Sequence, residues 1–295
     1  IFPGIAPVKN PFMGGWLYSD KRVFKKLKVF MDELHLTGAK MFIQLTAGFG
    51  RSFAINDLMV KAAKNKAFNV LLKPIFNVDY LCAAPSATPN RWDDEITSKQ
   101  LTEKQILKII RAFGKVAKLC QEAGVDGVEI HAVHEGYLLD QFTMKYTNLR
   151  KDKWGGSFEN RYRFPVEIVK AIKAKCGKDY PVSLRYSVIS KTKGFGRGAL
   201  PGEKNYLEVG RDMVESEMAA KYLQDAGYDM LSCDNGTYDA WYWAHPPGYM
   251  PLNCNLADAS HIKKHVDIPV VCAGRMEPIV AAGAIKEGKI DAVAI

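Results

Sequence analysis

Residues 102–131 read TEKQILKIIRAFGKVAKLCQEAGVDGVEIH, and their spacing decides the fold class. Ile106, Ile109, Ile110, Phe113, Val116, Ala117 and Cys120 recur at three- and four-residue steps, the period of a helix with one buried stripe. Thr102 and Gln105 supply a capping box at its start. Gly124 stands where a left-handed residue closes a helix, and Gly127, Val128, Glu129, Ile130 and His131 follow as a short strand.

The unit recurs along the chain. A helical stretch over residues 20–37 leads through Gly38 into a strand over 40–45, and one over 160–176 leads into 181–186. Helical stretches ending at Asp225, His265 and Glu287 lead into strands over 229–233, 269–273 and 291–295. Strands separated by helices, without a hairpin signal, mean an α/β fold with a parallel sheet covered by helices. Six regular units fit most of a (β/α)8 TIM barrel better than a doubly wound sheet. Residues 1–295 are therefore expected to form one barrel domain, incomplete at both ends, because six strands alone would leave two open edges.

Composition is that of an ordinary globular chain: 295 residues, 47% hydrophobic and 25% charged, which excludes a disordered, collagen-like or disulfide-stapled class. No apolar run approaches the ~18 residues of a membrane span, so the expected location is cytoplasmic, with no membrane partner. The net charge of +9 favours anionic ligands. The basic residues are spread out, without the clustered pattern of a nucleic-acid binder. Six cysteines lack any C-x-x-C spacing and are expected as reduced, mostly buried thiols rather than metal ligands.

In a barrel, reacting groups sit at the C-terminal ends of strands. That position selects Gln44, His131, Arg185, Asn235 and the Gly274-Arg275 pair. Glu129 shares the face of His131 by strand alternation and is expected to pair with a lysine or arginine. Without further information, His131 reads equally as a satisfied core histidine and Arg185 as an ion-pair partner. A metal reading of His131 and His134 is poor, since no third ligand has convincing spacing.

The densest segment is residues 127–164, GVEIHAVHEGYLLDQFTMKYTNLRKDKWGGSFENRYRF. It resembles the old yellow enzyme family of FMN-dependent ene-reductases, in which VEIH-x-x-H/N-GYLL-x-QF is followed by N-x-R-x-D-x-x-GGS-x-ENR-x-RF. The resemblance extends to QLTAGFGR from Gln44 to Arg51, to Ala84-Pro85-Ser86, to the strand holding Arg185, and to Ala273-Gly274-Arg275, so that it covers nearly the whole chain. It implies a TIM barrel binding FMN, with Gln44 at the flavin pyrimidine edge, Arg185 beside its N1 and C2 carbonyl, and Gly274 and Arg275 at its phosphate. It implies His131 and His134 as hydrogen-bond donors to a substrate carbonyl oxygen, where they stabilise developing negative charge, and Tyr137 as proton donor to the α-carbon. NAD(P)H would be the co-substrate, giving ping-pong kinetics, and the partner would be a small-molecule enone.

One departure stands out. Glu135 is inserted between His134 and Gly136, so that either His134 or Glu135 could face the substrate. The form HAVHEGY resembles the branch that reduces 3-oxo-Δ4 bile acids and steroids. A steroid, free or as a coenzyme A thioester, is thus the first expected substrate, and a 2,4-dienoyl-CoA the second. Long relatives of that branch imply a [4Fe–4S] cluster and FAD beyond residue 295; a homo-oligomer is a separate expectation. The rivals from other classes are a non-catalytic barrel fragment or interaction subunit, and a non-flavin barrel such as an aldolase, for which no strand-end lysine or metal cluster is apparent. Residues 194–198, GFGRG, lack the spacing of a dinucleotide loop and are expected as a lid. Tyr238, Trp241, Tyr242, Trp243 and Tyr249 either line a broad apolar substrate site or pack a long loop. Ser157 or Asn160 is expected to cap the helix that follows.

Overall fold

Six short strands pair side by side in one sheet, all parallel, in the order of the sequence. They are β1 (Phe42–Leu45), β2 (Gly127–His131), β3 (Val182–Ser187), β4 (Met230–Asp234), β5 (Val270–Ala273) and β6 (Ala292–Ala294). The computed structural model describes residues 21–55, 57–72 and 78–294; the expected helix start at Asp20 and the end at Ile295 lie outside them. The strand order never reverses, as in a (β/α)8 barrel. A doubly wound sheet has a switch point where it does. Six strands, not eight, are seen among the described residues.

The helices are α1 (Lys21–His35), α2 (Asp57–Lys64), α3 (Lys66–Leu72), α4 (Val78–Leu81), α5 (Glu103–Glu122), α6 (Leu138–Thr143), α7 (Phe158–Cys176), α8 (Met213–Ala226), α9 (Trp241–Ala244), α10 (Leu256–Lys263) and α11 (Pro278–Lys286). On α5 the periodic residues are the buried ones, and the Thr102–Gln105 capping box is formed in both directions. Ser157 caps α7 by accepting from the Asn160 amide. Helix α10 stops at Lys263 rather than His265, because the chain tightens into a turn in which the His265 amide donates to the Ile262 carbonyl.

One core spans the sheet and its helices and includes Ile43, Val128, Ile130, Phe113, Val169, Leu184, Leu231 and Cys272. A smaller one, of Phe53, Ala62, Val78 and Cys82, lies under the long β1–α5 connection. All six cysteines are free thiols, four of them buried. Among the described residues, no helix is long and apolar enough to cross a membrane.

Candidate active site

The strand register stacks the polar groups in two levels. Gln44, Glu129 and Ser183 are laterally paired. In that level Gln44 Nε2 donates to Glu129 Oε1 at 2.7 Å and Ser183 Oγ to Glu129 Oε2 at 3.2 Å. Glu129 thus takes neutral donors where a lysine or arginine was expected. One step along, His131 pairs laterally with Arg185.

Arg185 donates through Nη2 and Nε to Asp234 Oδ2 at 2.7 and 3.1 Å. Asp234 Oδ1 in turn lies 2.9 Å from His134 Nε2. Burial pushes the Asp234 carboxyl up, but His134 and Arg185 outweigh it and hold the group below its ordinary value. Asp234 raises Arg185 in return. Asn235, next in the chain, is used structurally: its side chain accepts from the Ile189 amide and donates to Asn255 and Asp258.

His131 is 4% exposed, and its Nδ1 is buried with no hydrogen-bond partner. Burial, reinforced by Arg185, His134 and His245, pushes its pKa well below the ordinary histidine value, so the ring is neutral at pH 7. The Tyr137 ring lies edge-on to it with centroids 3.7 Å apart. Burial raises the Tyr137 hydroxyl above its ordinary value, against a hydrogen bond to Tyr238 that lowers it.

The insertion is absorbed in a specific way. His134 and Glu135 both adopt left-handed backbone, with φ of 68° and 54°, which costs about 1 kcal/mol or more at each non-glycine residue. His134 turns to Asp234. Glu135 turns elsewhere, fully buried, and its Oε1 accepts from Arg51 Nη1 at 2.7 Å. Asp140 Oδ2 accepts the Glu135 amide, and the Tyr238 amide donates to the His134 carbonyl at 2.6 Å. Gly136 is required for packing, since a Cβ there would meet the Tyr238 ring at 2.2 Å. Burial pushes the Glu135 carboxyl up to about 7 despite Arg51. Arg51 also donates to the Pro89 carbonyl and holds its guanidinium 4.3 Å from the Phe195 ring, which seats the expected lid segment.

The aromatic residues after β4 divide between the two expected uses. Tyr242 Oη and Trp243 Nε1 both donate to the Ala199 carbonyl, packing the loop. Tyr249 is exposed. Tyr238 and Trp241 instead line a cavity of about 460 Å³ together with Phe49, Phe53, Trp92 and Arg91. Phe49 and Tyr238 also touch Tyr137, at ring distances of 4.9 and 6.1 Å, so Tyr137 packs against two of the cavity's wall residues. Arg91 is ion-paired with Asp239 at its edge.

Beyond β5, Gly274 and Arg275 form a left-handed turn with φ of 125° and 47°. A Cβ at Gly274 would lie 2.4 Å from Asn255 Nδ2. The Arg275 guanidinium is committed to the Gly248 and Met250 carbonyls.

The model of the NADH:flavin oxidoreductase / NADH oxidase family matches residues 13–295. A cinnamate reductase of Clostridium sporogenes is 45% identical over 265 residues, covering 90% of this chain and 37% of the relative. An NADH oxidase of Thermoanaerobacter brockii is 37% identical, covering 67% of this chain and 28% of the relative. Among solved structures, a 2-naphthoyl-CoA reductase bound to 2-naphthoyl-CoA superposes with a TM-score of 0.74 at 26% identity, over 95% of this chain and 39% of that one. The chain spans less than two fifths of the length of each.

Proposed function

The chain belongs to the NADH:flavin oxidoreductase / NADH oxidase family, and on that premise we propose that it is the FMN-binding barrel of an NAD(P)H-dependent ene-reductase whose substrate is an α,β-unsaturated acyl compound conjugated to an aromatic ring. The observation that carries this reading is the position of Tyr137, which touches His131 on one side and two walls of an aromatic cavity on the other. The names of two relatives point the same way: cinnamate and 2-naphthoyl-CoA each join a carbonyl to an unsaturated aromatic system.

The residues fit FMN by the chemistry of the donor set. Gln44 offers both a donor and an acceptor, Arg185 supplies a fixed cation, and the Gly274-Arg275 backbone forms a turn open to an anion. These groups stand at the ends of β1, β3 and β5, on one rim of the sheet. Because the Arg275 guanidinium is engaged elsewhere, the phosphate is assigned to the backbone amides of the pair. Bound FMN would relay hydride from the nicotinamide to the substrate β-carbon.

The chain's own residues supply the rest. Neutral His131 donates one N–H to the substrate carbonyl oxygen, where negative charge develops. Asp234 Oδ1 faces Nε2 of His134 and fixes that ring beside His131, and in its imidazolium form His134 has an Nδ1–H to give to the same oxygen. Tyr137, kept protonated by burial, gives its proton to the α-carbon, and the hydroxyl of Tyr238, hydrogen-bonded to it, is placed to replace that proton. Glu135 faces Arg51 and takes no part at the carbonyl.

A 3-oxo-Δ4 steroid is the second reading, favoured by the breadth of the same aromatic cavity. The protein, titrated anaerobically with NADH and then with cinnamate, an aryl acyl-CoA or a 3-oxo-Δ4 steroid, separates them. Bleaching of the flavin visible band, restored by the aryl substrates, is the expected result. Restoration only by steroid moves the substrate assignment, and absence of any flavin band overturns the reading.

A further inference from the structure

Away from the strand ends, on the helical layer, three side chains from two units converge. Glu217 projects from α8, His261 from α10 and His265 from the turn after it. Glu217 Oε1 lies 2.6 Å from His261 Nε2 and 3.9 Å from His265 Nε2. The imidazole centroids are 5.0 Å apart at 35°, and all ligand atoms lie within 4.8 Å of one another. The histidines are four residues apart, in the sequence HIKKH from 261 to 265, which places them on one side of a helical turn.

We propose that Glu217, His261 and His265 form a binding site for a divalent transition-metal ion, Zn²⁺ or Cu²⁺ in class, which fastens α8 to α10. Two imidazoles and one carboxylate are a recognised set of three protein ligands for zinc, with a fourth position left to water. Ligand atoms about 2.0–2.1 Å from a tetrahedral ion stand roughly 3.3–3.5 Å from each other. The present Glu–His separations of 2.6 and 3.9 Å bracket that spacing, and no pair of ligand atoms is more than 4.8 Å apart, so the three donors stand close to the positions an ion requires. All three groups are partly exposed, giving the ion a path in.

The neighbouring cations do not occupy the carboxylate. Lys221 pairs with Asp225 and Lys263 with Asp291. Imidazole donors favour Cu²⁺ over Zn²⁺ and both over Mg²⁺ or Ca²⁺, which prefer all-oxygen shells. Helix α8 leads into β4 and α10 into β5, so an ion here ties together two units whose strand ends carry Asp234 and the Gly274-Arg275 turn. The site shares no residue with the proposed flavin chemistry and does not depend on it.

The test uses the untagged chain, stripped with a chelator and titrated calorimetrically with ZnCl2 and CuCl2, alongside His261→Ala, His265→Ala and Glu217→Gln. Saturable binding of one ion per chain is expected, with Cu²⁺ tighter than Zn²⁺, and an upward shift of Tm in the presence of Zn²⁺. Each histidine variant should lose about tenfold or more in affinity and show no Zn²⁺-dependent Tm shift, while keeping the metal-free Tm close to that of the parent. Co²⁺ substitution should give the visible absorption of a four-coordinate site, lost in the same variants. Binding that survives both histidine substitutions, or no saturable binding of either ion, overturns the proposal.

Discussion

Replacing Arg51 by methionine isolates the Glu135 carboxylate and makes its burial measurable. The two side chains are 2% and 0% exposed, with 2.7 Å between Nη1 and Oε1. Breaking a buried pair from one side typically costs about 3–5 kcal/mol, because the remaining charge is uncompensated. Loss of the bond from Arg51 Nε to the Pro89 carbonyl adds about 1 kcal/mol. The pH dependence follows from the raised pKa of Glu135, about 7 in the parent. A carboxyl that binds its proton more tightly folded than unfolded carries no penalty below its unfolded value. Its penalty grows as pH rises toward the folded value. Removing Arg51, which lowers that pKa, carries the folded value above 7. The Arg51→Met deficit should therefore be larger at pH 8 than at pH 6 by about 1.4 kcal/mol, the linkage value for one carboxyl that titrates near 7 in the parent and stays protonated in the variant. Adding Glu135→Leu should restore stability at pH 8 to within about 1–2 kcal/mol of the parent, since an apolar pair of similar volume needs no charge compensation. Urea unfolding of the three proteins at pH 6, 7 and 8, followed by tryptophan fluorescence with m-values compared, measures this. A deficit flat across pH, or a double variant no more stable than Arg51→Met at pH 8, refutes the reasoning.

Tyr137→Phe should lower kcat for the unsaturated substrate by about 10²–10⁴ while leaving reduction of the flavin by NADH unchanged in stopped-flow traces. Asp234→Asn removes the carboxylate shared by Arg185 and His134, and lower flavin occupancy after gel filtration is expected, together with a fall in kcat. Trp241→Ala opens the cavity wall and should raise KM for an aryl substrate about tenfold, roughly the worth of one buried aromatic contact, with little change for a small aliphatic enone in the same assay.

Much of this frame is legible in the sequence. The Thr102 capping box, the periodic stripe of α5 and the strand at Gly127–His131 are local signals, set by neighbours a few residues away, and the structure has them where the periodicity placed them. The helices α2, α3 and α4 were not anticipated. They are short and bury little (Ala62 is the one buried side chain described for α2, and none is described for α3), so no stripe marks them. The same limit applies to the site. Gln44, His131, Arg185 and Tyr137 could be nominated from strand ends and motif, but Asp234 was missed although it ends the apolar strand β4 and offers a charged residue in a buried run. Its partners His134 and Arg185 lie 100 and 49 residues away, Arg185 brought to it by the β3–β4 register and His134 by the left-handed turn after β2. Glu135 was seen as an insertion. That it turns to Arg51, 84 residues upstream, depends on two consecutive left-handed residues that no periodicity encodes.

The cavity walls come from three connecting segments, around Phe49–Phe53, Arg91–Trp92 and Tyr238–Trp241, none of them inside a strand. His131, Arg185 and Asp234, by contrast, are held by the sheet ladder itself. On the proposed function, the ladder groups and the cavity walls thus come from different parts of the chain and meet at Tyr137, which touches His131 and two wall residues. On that reading, exchanging Trp92 or Trp241 should alter which acyl group is accepted while leaving the strand ladder, which neither residue joins, in place. A combinatorial library confined to those three segments would therefore vary the cavity walls while keeping the ladder constant.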